Sequence, residues 1–246
     1  MDKIALISDI HGNIPALEAV LQDIQTRKIK KIFCLGDIVG KGPSPEKAVD
    51  ICRSECEVSL MGNWEDVVSR NIAHPMVDWQ RQRLNQEQLD YIQNLPNTLE
   101  FILSGRKIRL FHASQVGVMH RVQRNAPEDV QLAMFNNTDF TGDAFEPDTV
   151  GYADIHFVFL KQIREKILFN IGSVGNPLDY PQASYAVLEG NYDLNKVGAF
   201  SINIIRIPYD IELSVAQAEA EGLPYLETYS TELRTAVYGG DPSLHQ

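Results

Sequence analysis

Short apolar segments alternate with polar loops and amphipathic segments along the first part of the chain. KIALIS (3–8) is a β-rich apolar run, and residues 14–24 then carry apolar side chains at helical spacing. The same order returns with KIFCL (31–35), a glycine-rich loop and a helical segment from Pro45 to about Cys52. This alternation predicts parallel strands joined by crossover helices.

The pattern changes further along the chain. EVSLM (57–61) predicts a third strand, and residues 66–95 are typical of helix. TLEFIL (98–103) and KIRLFHA (107–113) flank Ser104-Gly105-Arg106 and predict a β-hairpin, which introduces antiparallel pairing. The remaining segments are predicted as a helix at 127–135, strands at 157–160, 166–171, 184–189 and 200–207, a helix at 211–221 and a tail ending at 246. With no repeat or long linker, residues 1–246 are predicted to form one mixed α/β domain.

Composition is that of an ordinary folded protein. The 246 residues include 44% apolar and 22% charged residues, with a net charge of −11. This charge repels phosphate backbones, so we expect no extended nucleic acid as a partner, whereas bound divalent cations would neutralise part of it. The N-terminus has no targeting segment, no window approaches a membrane span, and three cysteines are too few for a disulfide scaffold. We therefore expect a cytoplasmic location without membrane association; the oligomeric state stays open.

Five side chains suited to metal binding follow predicted strands. Asp9 and His11 come after the first strand, Asp37 after the second and Asn63 after the third, and His112 ends the second hairpin strand. In sheets of this type, loops at one edge converge on a common crevice. Carboxylates, imidazoles and an amide are suitable ligands for Mn, Fe, Zn, Ni or Mg. The pattern predicts a metal site at this edge.

The segments around these residues also have a recognisable order. They are SDIHGN (8–13), GDIVGKGPSP (36–45), GNWED (62–66), FHAS (111–114) and GSVGNP (172–177). With this set the sequence resembles the calcineurin-like metallophosphoesterases, from Lys3 to about Tyr209. It is most similar to their small bacterial and archaeal phosphodiesterases, including enzymes like asymmetrical diadenosine tetraphosphate hydrolases. The resemblance implies a four-layer αββα sandwich of two mixed sheets flanked by helices.

The resemblance also implies a ligand set and a reaction. Asp9 and His11 would bind a first divalent ion, Asn63 and His112 a second, and Asp37 would bridge both. The implied reaction is hydrolysis of a phosphodiester, phosphoanhydride or small phosphomonoester by a hydroxide held between the ions, with Asp37, Asn63 and His112 at the reacting centre. The expected partner is a small phosphorylated substrate.

Trp64 departs from the family pattern. Many members have His directly after the Gly-Asn pair, where it acts as an acid for the leaving group, and Trp cannot do so. The smaller phosphodiesterase-like members also lack this His. The general acid is therefore open between His74, His120 and solvent.

The last metal motif of the family reads Gly-His-x-His, and here the ungapped match is Gly151-Tyr152-Ala153-Asp154. This placement puts Tyr152 on the second metal and Asp154 on the first. Tyr is the poorer ligand, because its pKa is about 10. His156 is the alternative, but residues two apart in an extended strand lie roughly 7 Å from one another, so its use requires a loop shift.

The altered last motif leaves a second function open. The chain could be a degenerate phosphoesterase fold that binds a phosphorylated ligand or a protein without turnover, or an unrelated metal-binding α/β domain. Arginines at the predicted rim could clamp phosphates, although each is also typical of a solvated helix face. These arginines are Arg70, Arg81, Arg83, Arg121 and Arg124.

Overall fold

The strands form two sheets in a computed structural model that describes residues 1–143 and 145–239. In chain order the strands are β1 (Asp2–Ile7), β2 (Lys31–Cys34), β3 (Val58–Ser59), β4 (Thr98–Leu103), β5 (Arg106–Phe111), β6 (Thr149–Tyr152), β7 (Val158–Ile163), β8 (Lys166–Ile171), β9 (Ala183–Gly190) and β10 (Ser201–Ile207). The first sheet has the order β10-β9-β1-β2-β3 and the second the order β4-β5-β6-β8-β7. Both sheets are mixed: β1 pairs parallel with β2 and antiparallel with β9, and β5 pairs parallel with β6 and antiparallel with β4.

Helices flank these sheets. They are α1 (Ile14–Thr26), α2 (Pro45–Glu55), α3 (Asn63–Ser69), α4 (Pro75–Arg81), α5 (Gln86–Gln93), α6 (Glu128–Ala133), α7 (Ile211–Ala220) and α8 (Leu226–Thr235). No helix among the described residues is long and apolar enough to cross a membrane.

Strand β1 is buried on both faces, which explains its nearly continuous apolar sequence. Ile4 and Leu6 pack with residues of the second sheet, and Ala5 and Ile7 pack with the helices on the other side. A third apolar cluster joins α6 and its neighbouring loop to the outer face of the second sheet. The predicted αββα sandwich of two mixed sheets is thus confirmed.

Some elements differ from the sequence prediction. The helical stretch at 66–95 consists of three helices, and His74 and Asn85 cap the second and third. Strand β6 was not predicted from the sequence, because only four residues form it and one of them is Gly151. Helix α8 was predicted as part of the tail, since its sequence is mostly polar. In the structure its residues Tyr229 and Leu233 are buried and anchor it to the fold. Residues 240–246 of the predicted tail lie outside the described part.

Candidate metal centre

The loops that follow β1, β2, β5 and β6 are hydrogen-bonded to one another at one edge of the two sheets. The Asp9 N–H donates to the Gly36 carbonyl at 3.0 Å, and the His11 N–H donates to the Asp37 carbonyl at 3.0 Å. The Ala153 N–H donates to the His112 carbonyl at 2.8 Å. These bonds join neighbouring loops within each sheet, and the His112 ring, whose Nδ1 lies 2.8 Å from the Leu35 carbonyl, joins the loops of one sheet to those of the other.

The backbone in these loops adopts an unusual conformation. Asp9, His11, Asp37, Asp154 and His156 all have φ between 51° and 63°. Non-glycine residues occupy this left-handed region rarely, and such residues cluster at functional sites.

Gly62 is required by a close approach of two loops. A Cβ at this position would lie 2.3 Å from the backbone nitrogen of Asp37 and 2.3 Å from its Oδ1. No side chain can be accommodated at that distance. The glycine of the Gly-Asn pair therefore lets the third-strand loop pack directly on Asp37.

Four buried side chains form a compact group. The ligand atoms of Asp9, His11, Asp37 and His156 all lie within 4.8 Å of one another. His156 Nε2 lies 3.1 Å from Asp9 Oδ1 and 3.3 Å from His11 Nε2. Two carboxylates and two imidazoles at these distances form a donor set of the kind that binds divalent transition metals.

The three imidazoles of the centre are oriented in the same way. In each ring Nδ1 lies close to a backbone carbonyl. The Nδ1 of His11 is 3.0 Å from the Val39 carbonyl, that of His112 is 2.8 Å from the Leu35 carbonyl, and that of His156 is 2.5 Å from the Asn176 carbonyl. A carbonyl only accepts hydrogen bonds, so each Nδ1 carries a hydrogen. In the neutral ring Nε2 then has its lone pair directed into the centre, the arrangement found in metal-binding histidines.

Asp37 lies between two histidines. Its Oδ2 is 3.7 Å from His11 Nε2, and its Oδ1 is 3.4 Å from His112 Nε2. His112 Nε2 is also 2.9 Å from Asn63 Oδ1 and 3.8 Å from Asp154 Oδ1. The two oxygens of one carboxylate thus face two separate groups of donors.

The electrostatics of the centre favour a cation. Both carboxylate oxygens of Asp9 are buried and have no hydrogen-bond partner among the described residues, so the close approach of His156 is not a well-aligned hydrogen bond. Burial alone would raise the pKa of Asp9, but His156 and His112 outweigh it and lower this pKa. Burial would lower the pKa of His112, yet Asp37, Asp9 and Asp154 raise it well above the usual value. An orphaned buried carboxylate beside converging imidazole nitrogens fits a divalent ion.

Glu65 fixes the loops that carry Asp37 and Asn63. Its carboxylate accepts hydrogen bonds from the backbone N–H groups of Asp37 at 2.7 Å, Ile38 at 2.8 Å, Val39 at 3.1 Å and Gly62 at 2.9 Å. Burial and the charge of Asp37 raise the pKa of Glu65 to about 7. The motif GNWED contains this residue, but its role depends on contacts with a loop 26–28 residues away and was missed in the sequence.

Residues 2–193 match the model of the calcineurin-like phosphoesterase superfamily domain. The chain belongs to this superfamily. The match spans the loops that carry all the residues of the group described above, and that group is able to bind a metal ion.

Individual relatives agree with this assignment. The uncharacterized protein MJ0912 of Methanocaldococcus jannaschii is 31% identical, with 90% of this chain and 93% of that protein covered. The phosphodiesterase YfcE of Escherichia coli is 23% identical over 78% of this chain and 89% of its own length. The crystal structure of a metallophosphoesterase from Sphaerobacter thermophilus has a TM-score of 0.77 at 25% identity, covering 96% of this chain and 99% of the other.

The candidate centre brings together the five side chains predicted at strand ends, but it does not include the Tyr152 phenol. Tyr152 and Val150 point to the outer face of the second sheet, whereas Ala153 faces the space between the sheets. The Tyr152 hydroxyl donates to the Val122 carbonyl at 2.7 Å, and burial raises the pKa of the phenol. The ungapped placement of Tyr152 as a ligand is therefore corrected: strand alternation directs its side chain into an apolar cluster.

The chain turns tightly after Tyr152. The Ile155 N–H donates to the Ala153 carbonyl at 2.7 Å, and Asp154 and His156 have positive φ on either side of Ile155. This turn is the loop shift that the alternative placement requires. It brings His156 to the first group of donors and places Asp154 next to His112, on the side of the second group instead of the first.

Trp64 and the two histidines considered as general acid, His74 and His120, have different surroundings. The Trp64 ring lies edge-on to His11, with centroids 6.3 Å apart, and is buried. His74 caps α4 by accepting the Met76 N–H at 3.1 Å and stacks on Tyr225. His120 is exposed in the loop before Arg121. Trp64 therefore forms an apolar wall beside His11, and His74 has a structural role.

Proposed function

We propose that this chain hydrolyses a phosphodiester or another small phosphate ester or anhydride with two divalent cations. The observation that carries the proposal is the position of Asp37, whose two carboxylate oxygens face His11 on one side and His112 on the other. A carboxylate shared in this way is the usual bridge of a two-metal site.

The donors divide into two sets in this proposal. Asp9, His11, Asp37 and His156 would hold one ion. Asp37, Asn63 and His112 would hold the other, with Asp154 beside His112. When bound, the ions would supply an activated water as nucleophile and neutralise charge on the phosphate.

The protein supplies orientation for this chemistry. Backbone carbonyls fix each imidazole, so little reorganisation is needed for Nε2 to donate its lone pair. Asn63 offers a neutral oxygen, which limits the negative charge opposing a phosphate. Trp64 excludes water on the His11 side, and lower local polarity strengthens the interaction of charges in the centre.

A small substrate is favoured over a polymer. The net charge of −11 opposes extended nucleic acid, while the relative YfcE is named a phosphodiesterase. Mn, Fe, Ni, Zn and Mg all suit the donor types. The three cysteines are free, as we expect for a reducing compartment such as the cytoplasm.

The test is an assay of metal-stripped protein reloaded with Mn, Ni, Zn or Mg. Hydrolysis of bis-p-nitrophenyl phosphate, p-nitrophenyl phosphate and a dinucleoside polyphosphate is measured alongside elemental analysis. We expect hydrolysis of at least one substrate that rises as the second ion binds. Metal uptake without turnover of any substrate would support the binding-only alternative, and absence of metal uptake would refute the proposed centre.

A further inference from the structure

Arg121 forms a bidentate ion pair with Asp154 at the rim of the metal centre. Its Nε donates to Asp154 Oδ2 at 2.8 Å and its Nη2 to Asp154 Oδ1 at 2.7 Å. The carboxylate is buried, whereas the arginine side chain is 25% exposed. The guanidinium is therefore fixed by Asp154 along one edge, and part of the arginine side chain is exposed.

The other arginines predicted for the rim have different partners. Arg70 is mostly exposed and pairs with Asp66 on its own helix. Arg81 donates to the backbone of Val68 and Ser69. Arg83 stacks on Trp79, and Arg124 lies over Phe157. Of these five arginines, Arg121 is the one that contacts a residue of the centre.

The ion pair lies directly beside the proposed second metal group. Asp154 Oδ1 is 3.8 Å from His112 Nε2, which in turn is 3.4 Å from Asp37 Oδ1. A phosphate held at the centre would lie within reach of this side chain.

The pair also explains why a carboxylate stands in this part of the last motif. A neutral imidazole offers a guanidinium one uncharged acceptor nitrogen, whereas a carboxylate accepts two parallel charge-assisted hydrogen bonds in a planar geometry. Because both oxygens of Asp154 accept from Arg121, its first role is to position that arginine. The Nη1 group is outside the pair, and the planar fork directs its hydrogens away from Asp154.

We propose that Arg121 binds a non-bridging oxygen of the substrate phosphate and that Asp154 positions it. The inference rests on the phosphoester centre proposed above and adds to it a residue that selects phosphorylated ligands. Fixing the guanidinium before binding reduces the entropy lost when the phosphate arrives.

Inorganic phosphate is the probe, because its binding is read without turnover. The Mn-loaded wild type is compared with Arg121→Gln, Arg121→Lys and the matched control Arg124→Gln by titration calorimetry, with metal content and thermal unfolding measured on each sample. We expect Arg121→Gln to weaken phosphate binding by about tenfold to a hundredfold at unchanged metal content, since a charge-assisted hydrogen bond is lost. The phosphate affinity of Arg121→Lys should lie between those of the wild type and Arg121→Gln, and the affinity of Arg124→Gln should stay within about twofold of the wild type.

Asp154→Asn provides a second variant that keeps the arginine. It should weaken phosphate binding less than Arg121→Gln, because the guanidinium is present but less well fixed. Phosphate affinity that is unchanged in Arg121→Gln, a wild type that binds no phosphate, or loss of metal from Arg121→Gln would each overturn the inference. Phosphate binding through Arg121 without hydrolysis by the wild type would support this inference and refute the proposed function, so the two failures are distinguishable.

Discussion

His11 and His156 face each other with their Nε2 atoms 3.3 Å apart, and a backbone carbonyl lies at Nδ1 of each ring. With both Nδ1 atoms protonated, two neutral rings would direct their lone pairs at one another. That arrangement is unfavourable unless a proton or a metal ion lies between the rings and the neighbouring carboxylates. The pair is therefore best explained by a cation held with Asp9 and Asp37.

His156→Ala should lower metal content, because it removes one of four donors from the first group. Tyr152→Phe should leave metal content unchanged and reduce the free energy of unfolding by about 1 kcal/mol, the usual contribution of one hydrogen bond. Elemental analysis and chemical denaturation of both variants check this. A Tyr152→Phe protein with reduced metal content would restore the ungapped placement of the motif.

Asp37→Asn should be the most damaging single change to turnover. It removes the one charge that both groups of donors share while keeping an oxygen for the Trp64 N–H, which Asp37 Oδ1 accepts at 2.9 Å. We expect kcat to fall by more than about tenfold, or ~1.4 kcal/mol of barrier, with little change in thermal unfolding. Asp23→Asn, on helix α1, serves as the control and should keep wild-type kcat. Turnover above a tenth of the wild-type value would argue against the bridging role.

Glu65→Gln should destabilise the loops around the centre. The amide keeps one acceptor oxygen and sets an NH₂ group against backbone N–H groups that now donate to the carboxylate. We expect a loss of about 3 kcal/mol in the free energy of unfolding together with weaker metal binding. Asp66→Asn, next to it on α3 but in an exposed pair with Arg70, should cost about 0.5 kcal/mol. Equal effects of the two variants would show that the four backbone bonds to Glu65 contribute little.

The position of the centre could be predicted from the sequence because Asp9, Asp37 and His112 each lie at the end of a predicted strand. Assigning these residues to one site needs only the rule that the ends of neighbouring strands converge, and no information on distant contacts. The end of β6 could not be read in this way, since the turn at Ala153–Ile155 changes which side chains face the centre. The ungapped match of the last motif assumes that the backbone stays extended after Tyr152, whereas the chain turns there.

Long-range side-chain contacts were also beyond sequence reasoning. The Arg121–Asp154 pair joins two loops 33 residues apart. The other four arginines predicted at the rim contact residues outside the centre, and nothing in the sequence distinguishes Arg121 from them. Strand β6 and helix α8 were missed for a related reason: the neighbouring strands β5 and β8 and the burial of Tyr229 and Leu233 stabilise segments whose own sequences signal little structure. Tertiary context decided these cases.

Metal binding should become tighter as pH rises and should release protons. The pKa of His112 is raised well above 6.5 in the metal-free protein, so its protonated ring stabilises the fold fully below pH 6.5. That stabilisation is lost as pH rises through the raised pKa, and a metal ion at Nε2 must displace the same proton. Titration calorimetry with Mn at pH 7, in two buffers of different ionisation enthalpy, measures this release. His112→Gln should release fewer protons than the wild type; equal release by both proteins would exclude His112 as the source.

Anomalous diffraction from crystals grown with Mn tests the two-metal centre most directly. The account predicts two anomalous peaks, one on each side of Asp37. The first should lie at coordination distance from Nε2 of His11 and His156, and the second at coordination distance from Nε2 of His112 and from Asn63 Oδ1. Crystals that contain Mn at surface carboxylates and show no peak beside Asp37 would contradict it.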